Sequence, residues 1–460
     1  MLDSPRFADD FLWGAATSAY QVEGSPLAEG AGPSTWHRFC HLPGRIWNGD
    51  TGDVTCDQYR RSESDVRLMQ ELGLNAYRFS ISWSRVLPEG HGRVNGRGLD
   101  FYHRLIDALL QHGIQPFVTL YHWDLPAALD DRGGWLARDS ASWFADYARL
   151  VFEAFDDRVR FWTTLNEPWV VADAGYLHGV HAPGHADLFE APLVSLNLLR
   201  AHASAVEVYR AYGRHKIGIV VNLEPKYPAS NRPEDVAATA RAEAYMNRQY
   251  LDPIFFGTYP KALHEIFGKA WPEVSDTDLT RIRKAIDFLG INYYTRAVTR
   301  EDPTASPTRA AAVHQCGSPH TELGWEVYPQ GLTDTLLWVR SRYGRLPLYV
   351  TENGAAFADP PVAREGLVDL ARLDYHRAHL RAAEAAIRDG VDLRGYFAWS
   401  LLDNFEWTWG YSKRFGIVHV DFQTQQRTPK ASARFYSTVI RTKGAALYEA
   451  DTSETPPALP

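Results

Sequence analysis

The segment Arg160-Phe161-Trp162-Thr163-Thr164-Leu165-Asn166-Glu167-Pro168 decides how this chain is read. It is short, apolar or β-branched for most of its length, and closed by a proline, which is the pattern of a buried strand. Its amide and carboxylate come only at the end, at Asn166 and Glu167. The form recurs at Leu346-Pro347-Leu348-Tyr349-Val350-Thr351-Glu352-Asn353-Gly354, where the carboxylate is Glu352. A carboxylate at the carboxyl end of a strand is where a parallel barrel keeps its chemistry.

Working outward, eight strand-like runs are predicted, at roughly 11–21, 76–82, 115–123, 160–168, 216–223, 288–295, 347–354 and 393–402. Helical spacing of apolar residues falls between them, at 65–72, 99–110, 139–155, 193–212, 234–250, 329–343 and 372–389. Eight strand-like runs with a helical segment in each gap between them predict an α/β fold, a (β/α)8 TIM barrel. No low-complexity linker divides the chain, so residues 1–448 are expected to form one domain. Length beyond a minimal barrel of about 250 residues goes into loops, expected at 24–60, 169–192, 224–233, 300–327 and 403–416. Residues 449–460, rich in Pro, Ser, Thr and acid, are expected to form a loose tail.

Composition narrows the partners. A net charge of -8 argues against a nucleic-acid partner. No basic run suggests an anionic membrane surface, and no stretch is long and apolar enough to span a bilayer. The start shows no basic region followed by an apolar one, hence no visible secretory signal. Cys40, Cys56 and Cys316 are odd in number and lack metal spacing, which fits reduced thiols in a cytoplasmic protein.

Alone, either glutamate could be a loop cap or an ion-pair partner. Together, at two strand ends, they suggest acid/base and nucleophile roles at one glycosidic bond. The other strand ends supply what a sugar needs. Gln21, His122, Asn166 and Glu406 match hydroxyls that donate and accept, and Trp399 and Trp407 offer apolar walls. Arg78, inside a barrel strand, needs a buried carboxylate, with Glu352 as the candidate. His376 and His379, three apart in a helix and without a third ligand nearby, read as surface residues rather than a zinc site. His178 and His181 either line the entrance or cap a loop.

The chain resembles glycoside hydrolase family 1, the β-glucosidase family. The resemblance runs from Phe11-Leu12-Trp13-Gly14-Ala15-Ala16-Thr17-Ser18-Ala19-Tyr20-Gln21 to Asp403-Asn404-Phe405-Glu406-Trp407 and on to Gly416. Asn-Glu-Pro alone is shared with other barrel glycosidases. Tyr121-His122-Trp123-Asp124-Leu125-Pro126, Thr351-Glu352-Asn353-Gly354 and Asn404-Phe405-Glu406-Trp407 together are specific. Two departures, Gln58 where a His is common and Asp156 where a Gly is usual, lie outside these motifs.

The resemblance implies that Glu352 is the nucleophile and Glu167 the acid/base, with Arg78 supporting Glu352. It implies that Gln21, His122, Trp123, Asn166, Glu406 and Trp407 bind the terminal sugar over Trp399, that Asn292 and Tyr294 orient the nucleophile, and that Trp325 lies on the aglycone side. The expected activity is retaining, exo-acting β-glucosidase hydrolysis of a small β-glycoside, with no metal or organic cofactor. β-Galactosidase or β-fucosidase activity on the same site, an endo-acting hydrolase, and a non-catalytic sugar-binding barrel are the alternatives. Glu406 favours a free sugar over a 6-phosphorylated one, because a carboxylate beside a phosphate is repulsive.

Overall fold

In the computed structural model, which describes residues 6–283, 286–361 and 366–449, eight parallel strands close into a barrel. They are β1 (Leu12–Ala16), β2 (Ala76–Ser80), β3 (Gln115–Tyr121), β4 (Phe161–Asn166), β5 (Lys216–Asn222), β6 (Phe288–Asn292), β7 (Leu348–Asn353) and β8 (Leu393–Trp399). Each strand pairs with its neighbours in sequence. The ring closes where β1 meets β8, with Leu12 opposite Gly395 and Ala16 opposite Trp399.

The barrel interior is filled, not hollow. Phe117, Phe288, Tyr349 and Phe397 point inward and are buried. Phe117 stacks on Phe161 at 5.3 Å between centroids and meets Phe397 at 5.0 Å. Small residues make room for them. A Cβ at Gly14 would stand 2.3 Å from the Phe397 ring, so β1 needs glycine there. A second, larger apolar layer lies outside the strands, where helices such as Gly96–Gln111, Ser140–Phe155 and Glu190–Tyr212 cover them.

Each predicted strand is present but shorter than its apolar run. The runs overshoot at their carboxyl ends, where the chain leaves the sheet to build the site. Gln21 accordingly sits in a short helix, Ala19–Val22, not on the first strand. The predicted loops carry structure of their own. Lys226–Pro228, Ala297–Glu301 and Ala310–Ala312 form a three-stranded sheet, and Thr35–Cys40 is a helix. The expected tail lies outside the described residues apart from Glu449.

The reading of His376 and His379 as surface residues is corrected: both are wholly buried. Helix Leu370–Arg388 turns them inward. His379 Nδ1 hydrogen-bonds the Tyr375 carbonyl at 2.8 Å, and His376 Nδ1 meets the Tyr396 hydroxyl at 3.3 Å. Burial pushes the two rings down to about 4 and about 3, so both are neutral core groups.

Candidate active site

The carboxyl ends of the strands open into a cavity of about 660 Å³. His122, Trp123, Glu167, Asn292, Tyr294 and Trp325 line it, together with Glu352, Trp399, Glu406 and Trp407. Gln21, Asn166 and Arg78 do not line it. They lie beneath its wall, buried completely.

The chain must turn sharply where strands end. Trp123, Glu167 and Trp407 all adopt positive φ, at 80°, 47° and 47°. Such backbone costs a non-glycine residue about 1–3 kcal/mol and persists only where the surroundings fix it. Pro168 follows Glu167 and opens the helix Pro168–Ala172, so the carboxylate is set at the junction of strand and helix.

Glu352 is held firmly. Arg78 Nη1 donates to Oε1 and the Tyr294 hydroxyl donates to Oε2, each at 2.5 Å. Glu167 has one side-chain donor, Asn292 Nδ2, 2.6 Å from its Oε1. The Thr351 hydroxyl donates to Asn292 Oδ1 at 2.7 Å, which fixes that amide's orientation. Burial raises both carboxylic acids. The charge of Glu352 raises Glu167 further, whereas Arg78 and Tyr294 oppose the rise at Glu352. Glu352 therefore ionises first and Glu167 keeps its proton at neutral pH.

A second chain of hydrogen bonds sets His122. Asn166 Oδ1 accepts from Arg78 Nη2 at 2.6 Å and from Asn292 Nδ2 at 3.1 Å. The amide nitrogen of Asn166 must then face His122 Nε2, 3.1 Å away, and donate to it. That places the His122 proton on Nδ1, which is buried with no partner in the protein. Burial, then the charge of Arg78, holds the ring well below its ordinary pKa, so it is neutral. Its flat face lies near-parallel to Trp399 at 5.9 Å and to Trp407 at 6.0 Å. Glu406 likewise has a bare Oε2, and burial followed by the charge of Glu352 pushes it up to about 8. Bare polar atoms between aromatic faces suit a ligand bearing hydroxyls on an apolar ring.

Gln21 is spoken for within the protein. Ser18 Oγ donates to its Oε1 at 2.7 Å, and its Nε2 donates to the Phe405 carbonyl at 2.9 Å. It thereby braces the segment that carries Glu406. His178 and His181 both line the cavity. Sequence reasoning missed Asn222, Tyr245, Trp409 and Phe415, which also line it. Asn222 is the last residue of β5 and its strand-end place was a usable signal. Tyr245 lies in a helical segment far from any strand end and gave none.

Two carboxylates with unequal surroundings, at the mouth of a (β/α)8 barrel and ringed by aromatic and amide groups, define the class: a barrel glycosidase. The sequence profile of glycosyl hydrolase family 1 matches residues 3–445, and the chain belongs to that family. It is 52% identical over 442 residues to beta-glucosidase A of Thermotoga maritima, covering 95% of this chain and 98% of that protein. It is 45% identical to beta-glucosidase A of Acetivibrio thermocellus, covering 95% and 99%. The solved structure of the Thermotoga maritima β-glucosidase in complex with glucoimidazole superposes with a TM-score of 0.93 at 51% identity, over 96% of this chain and 100% of that one.

Proposed function

We propose that this protein is a retaining, exo-acting β-glucosidase that removes the terminal non-reducing β-D-glucose from small β-glycosides. The observation that carries the reading is the unequal hold on two neighbouring buried carboxylates, one ionised by Arg78 and Tyr294, the other kept protonated.

Ionised Glu352 attacks the anomeric carbon as Glu167 gives its proton to the departing oxygen, forming a glycosyl-enzyme. Esterification removes the charge of Glu352, and the acid of Glu167 strengthens. Glu167, now a carboxylate, takes a proton from water. That water attacks the same anomeric carbon, and Glu352 leaves as a carboxylate. The His122 Nδ1–H and Glu406 Oε2 are free for sugar hydroxyls, above the indole of Trp399. The loop bearing Glu406, Trp407 and Trp409 walls one side of the cavity, which favours chain ends over chain interiors. We take residues 1–448 as one catalytic domain. No described helix is long and apolar enough to cross a membrane, and the free Cys40, Cys56 and Cys316 support a reducing, cytoplasmic setting.

Proton NMR of cellotetraose digestion tests the reading in one tube. Glucose and cellotriose should appear together, with the glucose initially β. Cellobiose as the first product would defeat the release of a single terminal glucose, and initial α-glucose would defeat retention.

A further inference from the structure

Helix Thr35–Cys40 and the loop after it bring together His37, His41 and Asp53, none of which the mechanism uses. The histidines are four apart, so their rings share a helix face, with centroids 4.5 Å apart. His41 Nδ1 lies 2.7 Å from the His37 carbonyl oxygen. A carbonyl only accepts, so Nδ1 carries the proton, and Nε2 of the neutral ring presents a lone pair. That lone pair faces Asp53 Oδ2 at 3.1 Å. Two acceptors meet at this distance only around a cation, either a proton or a metal ion. Beside them, His37 Nδ1 stands 3.4 Å from Asp53 Oδ1. Both of these atoms are shielded from water and make no hydrogen bond.

A proton on His41 would reconcile that ring with Asp53 but leave His37 Nδ1 and Asp53 Oδ1 only a long contact of 3.4 Å with each other. A metal ion satisfies all three side chains. One ligand atom from each lies within 4.8 Å of the others. The edge of a tetrahedron with metal–ligand bonds of about 2.0–2.1 Å is about 3.3–3.4 Å, and each histidine already stands at about that distance from one oxygen of Asp53, His41 Nε2 at 3.1 Å from Oδ2 and His37 Nδ1 at 3.4 Å from Oδ1. A backbone carbonyl holding the far N–H of a ligating histidine is the usual outer support. Two imidazoles and one carboxylate suit zinc and its neighbours rather than the oxygen-seeking magnesium or calcium.

We propose that His37, His41 and Asp53 form a site for a divalent transition metal of the zinc type, with water completing its tetrahedron. The site is structural and lies outside the catalytic chemistry. It ties the helix Thr35–Cys40 to the segment around Asp53. Trp36 of that helix packs on Trp407 at 4.4 Å between ring centroids. Near Asp53, Asp50 Oδ2 accepts from the Tyr411 amide at 2.9 Å, and the Thr51 carbonyl accepts from the Tyr411 hydroxyl at 2.7 Å. The metal therefore clamps two props of the loop that carries Glu406.

The test is calorimetric titration of chelator-stripped protein with zinc chloride, and with magnesium chloride as control, alongside His37→Ala, His41→Ala and Asp53→Asn. The proposal expects one zinc per chain, no magnesium, a melting temperature that rises with zinc, and affinity at least about tenfold weaker in each variant. Cobalt in place of zinc should give the visible absorption of a tetrahedral ion, lost in the variants. Asp53→Asn keeps the shape of the side chain and guards against a variant that merely fails to fold, with hydrolysis of a chromogenic glucoside reporting its integrity. Zinc affinity unchanged in a folded Asp53→Asn and in either histidine variant, or the absence of a stoichiometric site, would overturn the proposal.

Discussion

Glu167 and Glu352 are the same chemical group in two electrostatic settings. Arg78 and Tyr294 surround one, while the other has a single amide donor and a charged neighbour. The proposed mechanism predicts a bell-shaped pH dependence of kcat/KM, with an acid limb set by Glu352, which would have to be ionised, and an alkaline limb set by Glu167, whose raised pKa would make activity fall as pH climbs through it. Glu167→Gln should abolish the alkaline limb. It should also cut kcat/KM on an alkyl glucoside by about 10²–10⁴-fold, while the first step with a dinitrophenyl glucoside, whose leaving group needs no proton, is largely spared. Steady-state and burst kinetics on both substrates check this. Equal losses on the two would count against Glu167 as the acid.

At the scale of elements, the decisive piece is the loop 403–416 after β8. Asp403, wholly buried, anchors it. Its Oδ1 accepts from Lys430 Nζ at 2.8 Å and from the Gly416 amide at 3.0 Å, and its Oδ2 accepts from Arg414 at 2.8 Å. Burial alone would raise this acid, but Lys430, with help from His419, Arg414 and Arg372, holds it far below the ordinary carboxylate range. A depressed folded pKa contributes stability that is present above the unfolded value, about 3.9, and is lost as pH falls toward the folded one. Asp403→Asn removes one of the two carboxylates paired with buried Lys430, Asp359 Oδ2 at 2.6 Å remaining, and should cost about 1.5–3 kcal/mol near neutrality. Urea midpoints of the two proteins should converge below about pH 4, by about 1.4 kcal/mol per unit. A gap constant from pH 7 to 3 would show that Asp403 is not depressed.

The elements themselves were largely legible. Buried parallel strands announce themselves as apolar runs, and both glutamates stood out because each is a lone acid closing such a run. Strand ends were less legible, because apolarity continues into Trp123 and Leu401 after the strands have ended. The placement of Gln21 was not legible. Its neighbours read as strand, and its bonds to Ser18, Asn404 and Phe405 set its side chain in a helical turn. His376 and His379 misled for a related reason: a core histidine satisfied by a backbone carbonyl or a tyrosine looks in sequence like any polar residue on a helix.

For the whole molecule, barrel closure is what assembles the site. Arg78 reaches Glu352 across 274 residues of sequence, and Gln21 reaches Asn404 across 383. No local fragment holds both carboxylates, so catalysis requires the completed ring. The filled interior of Phe117, Phe288, Tyr349 and Phe397 gives that ring a rigid base, and the loops above it are free to differ in length and structure. The proposed mechanism requires Glu352 to form a bond to the sugar. Mass spectrometry of protein inactivated by a 2-deoxy-2-fluoro-β-glucoside with a good leaving group tests this directly. The predicted result is one fluoroglucosyl group per chain, located by fragmentation on Glu352. A label on Glu167 or Glu406, or no covalent adduct under inactivating conditions, would contradict it.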